Sequence, residues 1–189
     1  MKNKGNLFVI SGPSGVGKGT VCRALIEKCE NVSVSVSATT RKPRTEDTEG
    51  VTYFFKTEEE FKQMIDESKF LEWAVYNGNY YGTPVEAAQK KLDEGFDVIL
   101  EIEVQGALKV MEKRPDAISI FIAPPDTDTL YQRLKGRDTE SEEEIEKRVR
   151  AAAWELEQKN KYNYIVVNDK LSDAVAAIEN IMKNEREKM

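Results

Sequence analysis

Leu7-Phe8-Val9-Ile10-Ser11-Gly12-Pro13-Ser14-Gly15-Val16-Gly17-Lys18-Gly19-Thr20 is the stretch on which the fold turns. Leu7 to Ile10 reads as a short buried strand, and it runs directly into a glycine-rich loop. After the loop, Val21, Leu25 and Ile26 fall at helical spacing up to about Cys29. Gly12, Gly17 and Lys18 match the pattern G-x-x-x-x-G-K-[ST] through its lysine. Glycines let the backbone bend so that successive N–H groups face one anion, and the helix that follows adds its positive N-terminal end. Lys18 would reach the β- and γ-phosphates of a nucleoside triphosphate.

One position departs from the pattern. Gly19 follows Lys18, and the hydroxyl comes one place later, at Thr20. Magnesium accompanying the triphosphate is therefore expected to be held mainly by phosphate oxygens and waters, with Thr20 left for the phosphates. Glu101 and Glu103 end an apolar strand and offer an outer-sphere carboxylate; two polar residues at a strand end read equally well as solvated. No protein-built metal site is expected.

Outward from the loop, Val32, Val34 and Val36 alternate with serines and predict a half-buried strand. The chain is polar from Ala38 to Gly50, then Val51 to Phe55 resembles a short strand. Thr57 with Glu60 predicts a capping box, and Thr83-Pro84-Val85-Glu86 predicts another with proline at the first helical position. Phe70 to Tyr76 reads as a strand with a turn at Asn77-Gly78. Strands at Phe96 to Leu100, Ile118 to Ile122 and Ile165 to Val167 alternate with helices around Ala107 to Lys113, from about Asp126, from a Ser141/Glu144 cap, and over Ala174 to Met182. This alternation predicts an α/β core with a parallel sheet, and the short strands between about 37 and 83 predict an inserted antiparallel lobe.

Composition narrows the chemistry. The 189 residues carry a net charge of -6, so no global basic field recruits nucleic acid or an anionic membrane. Positive charge needed for phosphate must be gathered locally. The absence of histidine removes Ser-His-Asp and Cys-His catalysis, His-ligated zinc and a histidine base. Cys22 and Cys29, roughly 10 Å apart along the expected helix, are too distant for a disulfide. The apolar run near the N-terminus is too short for a signal segment, and no stretch approaches the ~20 apolar residues of a membrane span. A cytoplasmic location is expected.

Further blocks add specificity: Ser37-Ala38-Thr39-Thr40-Arg41-Lys42-Pro43-Arg44, Gly50-Val51-Thr52-Tyr53-Phe54-Phe55, Phe70-Leu71-Glu72-Trp73-Ala74, Gly78-Asn79-Tyr80-Tyr81-Gly82-Thr83 and Glu101-Ile102-Glu103-Val104-Gln105-Gly106-Ala107. In this order and spacing the chain resembles the guanylate kinase family from about Leu7 to Asp169. The resemblance implies a P-loop NTPase-type parallel sheet flanked by helices, with an inserted small mixed-strand GMP-binding lobe and a helical lid. The implied boundaries are a core of 1–37, 84–130 and 151–189, a lobe of 38–83 and a lid of 131–150. It implies ATP with Mg²⁺ as donor, and GMP, with dGMP, as acceptor. By matching positions, Gly12, Pro13, Ser14, Gly15, Val16, Gly17, Lys18, Gly19, Thr20 and Asn168 would hold ATP. Arg41, Arg44, Tyr53 and Tyr81 would grip the GMP phosphate, and Ser37, Glu72 and Thr83 would read guanine, with Glu101 and Glu103 near the acceptor. Lys18 and Arg41, with Arg133, Arg137 and Arg148 from the lid, would surround the phosphoryl group in transfer.

The residue chemistry is compatible. Guanidinium forks pair bidentately with phosphate oxygens, and a carboxylate accepts the adjacent N–H donors of guanine but not the ring acceptor of adenine. Each residue also has a purely structural reading. Arg41 to Arg44 could be a solvated loop, Glu72 an outward strand residue, Tyr80 and Tyr81 core and edge aromatics, Thr83 a helix cap, and Arg148 half of an i,i+4 surface pair with Glu144. Two rival functions share the pattern: a scaffold that recognises phosphorylated partners without catalysis, and a kinase for another small phosphate acceptor. Lys18→Ala is expected to leave the fold intact and cut turnover by orders of magnitude; near-normal ATP consumption by that variant sinks the kinase reading.

Overall fold

The main sheet is entirely parallel and grows outward from the strand that precedes the glycine-rich loop. The computed structural model describes residues 4–76, 78–135 and 142–188. In chain order, the strands are β1 (Leu7–Ser11), β2 (Val32–Val34), β3 (Ser37–Thr39), β4 (Tyr53–Phe55), β5 (Phe70–Tyr76), β6 (Asn79–Pro84), β7 (Asp97–Glu101), β8 (Ile118–Ala123) and β9 (Tyr164–Val167). The helices are α1 (Lys18–Lys28), α2 (Glu58–Asp66), α3 (Val85–Asp93), α4 (Val104–Lys113), α5 (Thr127–Lys135), α6 (Glu142–Glu157) and α7 (Leu171–Glu187). The main sheet runs β2-β7-β1-β8-β9, so β1 lies at its centre.

Side-chain alternation along β1 divides the core in two. Phe8 and Ile10 pack with Ile99, Ile120 and Ile122 against Leu25 of α1 and Ile178 of α7. Leu7 and Val9 pack with Val98, Leu100 and Phe121 against Leu92 of α3 and Val110 of α4. Covering both faces explains the nearly continuous apolar runs. In a parallel sheet the carboxyl ends of the strands open on one edge, and a ligand crevice forms where consecutive connections diverge. The chain leaves β1 toward β2, whereas β7 and β8 flank β1 directly, so the glycine-rich loop lies at that crevice.

A second sheet, ordered β4-β3-β6-β5, is mixed: β3 and β4 are parallel, while β6 is antiparallel to both β3 and β5. Its own small core is Ala38, Phe61 and Phe70, with the two phenyl rings stacked at 4.4 Å between centroids.

Three local expectations are corrected. The alternating segment from Val32 is two strands, because Ser35 still donates to Ile99 of the main sheet whereas Ala38 pairs with Phe54 and Gly82 of the second. The polar stretch from Ala38 therefore begins as strand, and Val51 lies outside β4. Thr57 and Glu60 do form a capping box, but Thr83 does not cap α3. Strand β6 continues to Pro84, the N-cap residue, and the Val85 N–H donates to the Lys69 carbonyl. Asn77 and Ser141 lie outside the described residues, as does the side chain of Glu144.

Gly12 sits at φ +151°, and a Cβ there would lie 2.2 Å from the Ile122 carbonyl oxygen. Gly12→Ala must therefore push the end of β1 off β8. A stability loss of about 2 kcal/mol or more is expected from denaturant titration.

Candidate functional site

The loop at 12–20 ends in the first turn of α1, whose N-cap is Gly17 in the left-handed region at φ 95°. That turn has no side-chain cap and no acidic residue, so its N–H groups and positive helix end are left for an anion. Position 17 is crowded as well as strained, since a Cβ would lie 2.8 Å from Asn168 Nδ2. Asn168, buried just beyond β9, donates that amide to the Val16 carbonyl at 2.8 Å and its backbone N–H to Ala123. The end of β9 thus props the loop from beneath.

Lys18 is only 8% exposed. Its Nζ donates to the carbonyl oxygens of Gly12 at 2.7 Å and Pro13 at 3.4 Å, and pairs with Glu103 Oε2 at 3.2 Å. Glu101, at the end of β7, lies beside Gly19: a Cβ at 19 would come within 3.2 Å of its Oε1. Burial raises the Glu101 carboxyl and Glu103 raises it further, while Lys18 and Arg23 pull it down. Cys22 shares this neighbourhood, and burial with Glu101 pushes its thiol up to about 12. It is an inert core thiol, not a nucleophile.

Two arginines from the following helices reach this region, one onto the loop and one onto Asn168 beneath it. Arg148 of α6 donates to Ser14 Oγ at 3.0 Å, and Arg133 of α5 to the Asn168 carbonyl at 3.3 Å. Arg137 lies outside the described residues. A second contact from α6 to the loop escaped the sequence reading: the Ser14 N–H donates to Glu155 Oε2 at 3.3 Å.

The second sheet gathers another cluster. The Arg41 guanidinium lies 5.4 Å from the centroid of the Tyr53 ring, and Tyr53 meets Tyr81 edge-on at 6.0 Å. Asp47, also missed from sequence, pairs with Arg41 at 2.9 Å and accepts the Arg44 N–H at 2.7 Å. That backbone N–H, together with the Arg41 guanidinium, holds the Asp47 carboxyl below its ordinary range. The Arg41 guanidinium is thereby oriented against the rings of Tyr53 and Phe55. Arg44 itself is exposed, and Ser37 pairs in register with Tyr53.

Glu72 does not point outward. Between the pairs Phe70–Pro84 and Trp73–Gly82, two residues of β5 face one of β6, and this bulge turns Glu72 inward onto Thr83. Thr83 Oγ1 donates to Glu72 Oε1 at 2.9 Å, and Glu72 is 8% exposed. The hydroxyl expected to cap α3 is committed here instead.

The first turn of α4 touches both clusters. Its N-cap, Glu103, pairs with Lys18, and Gly106 lies against Glu72, where an added Cβ would come within 3.2 Å of Oε2. Three residues of helix correspond to about 4.5 Å of rise, so the phosphate loop and the Glu72 carboxylate flank one helical turn.

Burial raises the Glu72 carboxyl above its ordinary 4.5, opposed by the Thr83 hydroxyl and by Lys109. Folding thus favours the protonated form: the group costs nothing below its unfolded pKa, and its penalty grows as pH rises through the folded value. Glu72→Gln keeps the acceptor for Thr83 and loses the charge. In ligand-free protein it is expected to raise the urea midpoint at pH 7.5, with the gain vanishing by about pH 4.

Among the described residues, no helix is long and apolar enough to cross a membrane. The family model described as guanylate kinase matches residues 4–185. A guanylate kinase of Caldanaerobacter subterraneus subsp. tengcongensis is 55% identical over 186 residues, spanning 98% of this chain and 90% of that protein. One from Clostridium perfringens is 54% identical over 184 residues, spanning 97% and 85%. The crystal structure of guanylate kinase from Anaplasma phagocytophilum superposes with a TM-score of 0.73 at 34% identity, covering 97% of this chain and 87% of that one. Shikimate kinase from Bacteroides thetaiotaomicron, at 15% identity, a TM-score of 0.51 and coverage of 94% and 98%, shares the fold alone. With a buried lysine in a glycine-rich phosphate loop and a family match over nearly its full length, this chain belongs to the guanylate kinase family.

Proposed function

We propose that this guanylate kinase passes the terminal phosphate of ATP reversibly to GMP, and also to dGMP, with ATP on the loop at 12–20 and GMP on the second sheet. The observation that carries the assignment of sites is the first turn of α4, which contacts Lys18 through Glu103 and Glu72 through Gly106. Donor and acceptor sites on either side of one turn satisfy the proximity that phosphoryl transfer requires.

In this reading the triphosphate replaces Glu103 as the partner of Lys18, while the open first turn of α1 takes phosphate oxygens. Arg41, Arg44, Tyr53 and Tyr81 hold the GMP phosphate; Glu72 accepts the adjacent N–H donors of guanine, with Thr83 and Ser37 completing the edge. Arg133, Arg137 and Arg148, from a lid at 131–150, neutralise charge on the transferring group. Magnesium enters with ATP as part of the substrate and neutralises phosphate charge. Glu101 is the carboxylate beside Gly19 and fits an outer-sphere role there, assisted by Glu103. The residues supply alignment and charge rather than a strong base, and closure would exclude the water that hydrolyses ATP. Two free cysteines, Cys22 in α1 and Cys29 at its C-cap, suit a cytoplasmic setting.

The test is ATP consumption with GMP, dGMP, AMP, UMP and a sugar phosphate offered in turn. Turnover is expected with GMP and dGMP alone. Silence with all five favours a scaffold, and turnover with another acceptor moves the chain to a different substrate. In the same assay, Glu72→Gln is expected to lower kcat/KM for GMP by about 10²-fold, because two charge-assisted hydrogen bonds to guanine are weakened.

A further inference from the structure

Helix α6 presents a stripe of Val149, Ala152 and Leu156 to the core, and two polar residues share that inward side: Arg148 and Glu155. They are seven residues apart, two turns on one face and roughly 10 Å along the axis. Both contact the same residue of the phosphate loop. Arg148 donates to Ser14 Oγ at 3.0 Å, and Glu155 Oε2 accepts the Ser14 N–H at 3.3 Å. Ser14 is therefore pinned to α6 through its backbone and its side chain.

A carboxylate at this place opposes the loop's own chemistry. It is half-buried, and Glu103 already adds a negative charge nearby. Burial foremost, with Glu103 beside it, raises its carboxyl, while the Ser14 N–H and Lys18 pull it down. Glu146 and Glu157 of the same helix face solvent, so electrostatics alone would not select this inward one. The hydrogen bond to Ser14 gives it a reason to be there.

We infer that Glu155 is a positioning residue for phosphoryl transfer: it ties the tip of the phosphate loop to α6 and so fixes Arg148 relative to Lys18. This rests on the reading of the loop as the ATP site. The contact requires an acceptor oxygen rather than a charge, and an amide supplies one.

The experiment measures kcat and both KM values for the wild type, E155A, E155Q, R148A and the E155A/R148A double variant, with GMP affinity of each by calorimetry. Wild-type turnover in the same assay tests the underlying reading separately. E155A is expected to lose at least about tenfold in kcat with KM and affinity for GMP within about twofold, and E155Q to restore kcat to within about threefold. The double variant should fall no more than about threefold below R148A, because a misplaced Arg148 is already lost. Any of four results overturns the inference: E155A turning over within twofold of wild type, E155Q as impaired as E155A, multiplicative losses in the double variant, or loss of GMP binding in E155A, which marks a merely structural residue.

Discussion

An ammonium at 8% exposure must be surrounded by acceptors, and Lys18 finds them in two carbonyls of its own loop and the carboxylate of Glu103. Much of the molecule is arranged to put that cation there. Central strand β1 delivers the loop, Gly12 lets it pass close under the Ile122 carbonyl of β8, and Asn168 at the end of β9 holds the Val16 carbonyl. Three neighbouring strands of one parallel sheet thus end in contact with nine residues of chain. The core packing on both faces sets the position of the ammonium.

The same ion pair joins the two halves of the site. Glu103 belongs to the turn between β7 and α4, and α4 then packs its first turn on Glu72 and places Lys113 on the Leu71 carbonyl at 3.3 Å. The main sheet and the second sheet are consequently in register through a short helix rather than through a loop. Gly106 matters for the same reason: any larger residue there would press on the Glu72 carboxylate.

What could be read from the sequence was local. The strand, loop and first helix follow from an apolar run, a glycine pattern and helical spacing within some twenty residues, and Thr57 with Glu60 closes its capping box because nothing distant competes. Thr83 carries the same signature and fails. Pairing of β6 with β5 extends the strand through Pro84, and the bulge opposite brings Glu72 to the hydroxyl. That bulge also defeats period-two reasoning, for Phe70, Leu71 and Glu72 are buried in succession. Asp47 and Glu155 were hidden differently: Asp47 lies in a charge-rich stretch and Glu155 two residues from the exposed Glu157, and only tertiary placement separates each from its solvated neighbours. The blocks that carry Arg41, Tyr53 and Tyr81 come together on the second sheet, though the acid that orients Arg41 lies outside them.

A chain of net charge -6 that handles phosphates must hold its cations against acids of its own. Lys18 rests on Glu103 and Arg41 on Asp47, each within hydrogen-bonding distance. Such pairs keep the cations in place without substrate, so an arriving anion meets a preformed donor. Each acid would then stand beside a bound anion, and the like charges repel. Glu103 is exposed enough to turn toward solvent, whereas Asp47 stays tied by the Arg44 N–H. With the triphosphate on the loop as proposed, the donor side can therefore shed its acid as it arrives. If GMP sits on the second sheet as proposed, the acid remains there, and Arg41 would serve Asp47 and phosphate together through different edges of one guanidinium, which its planar fork permits and a lysine would not.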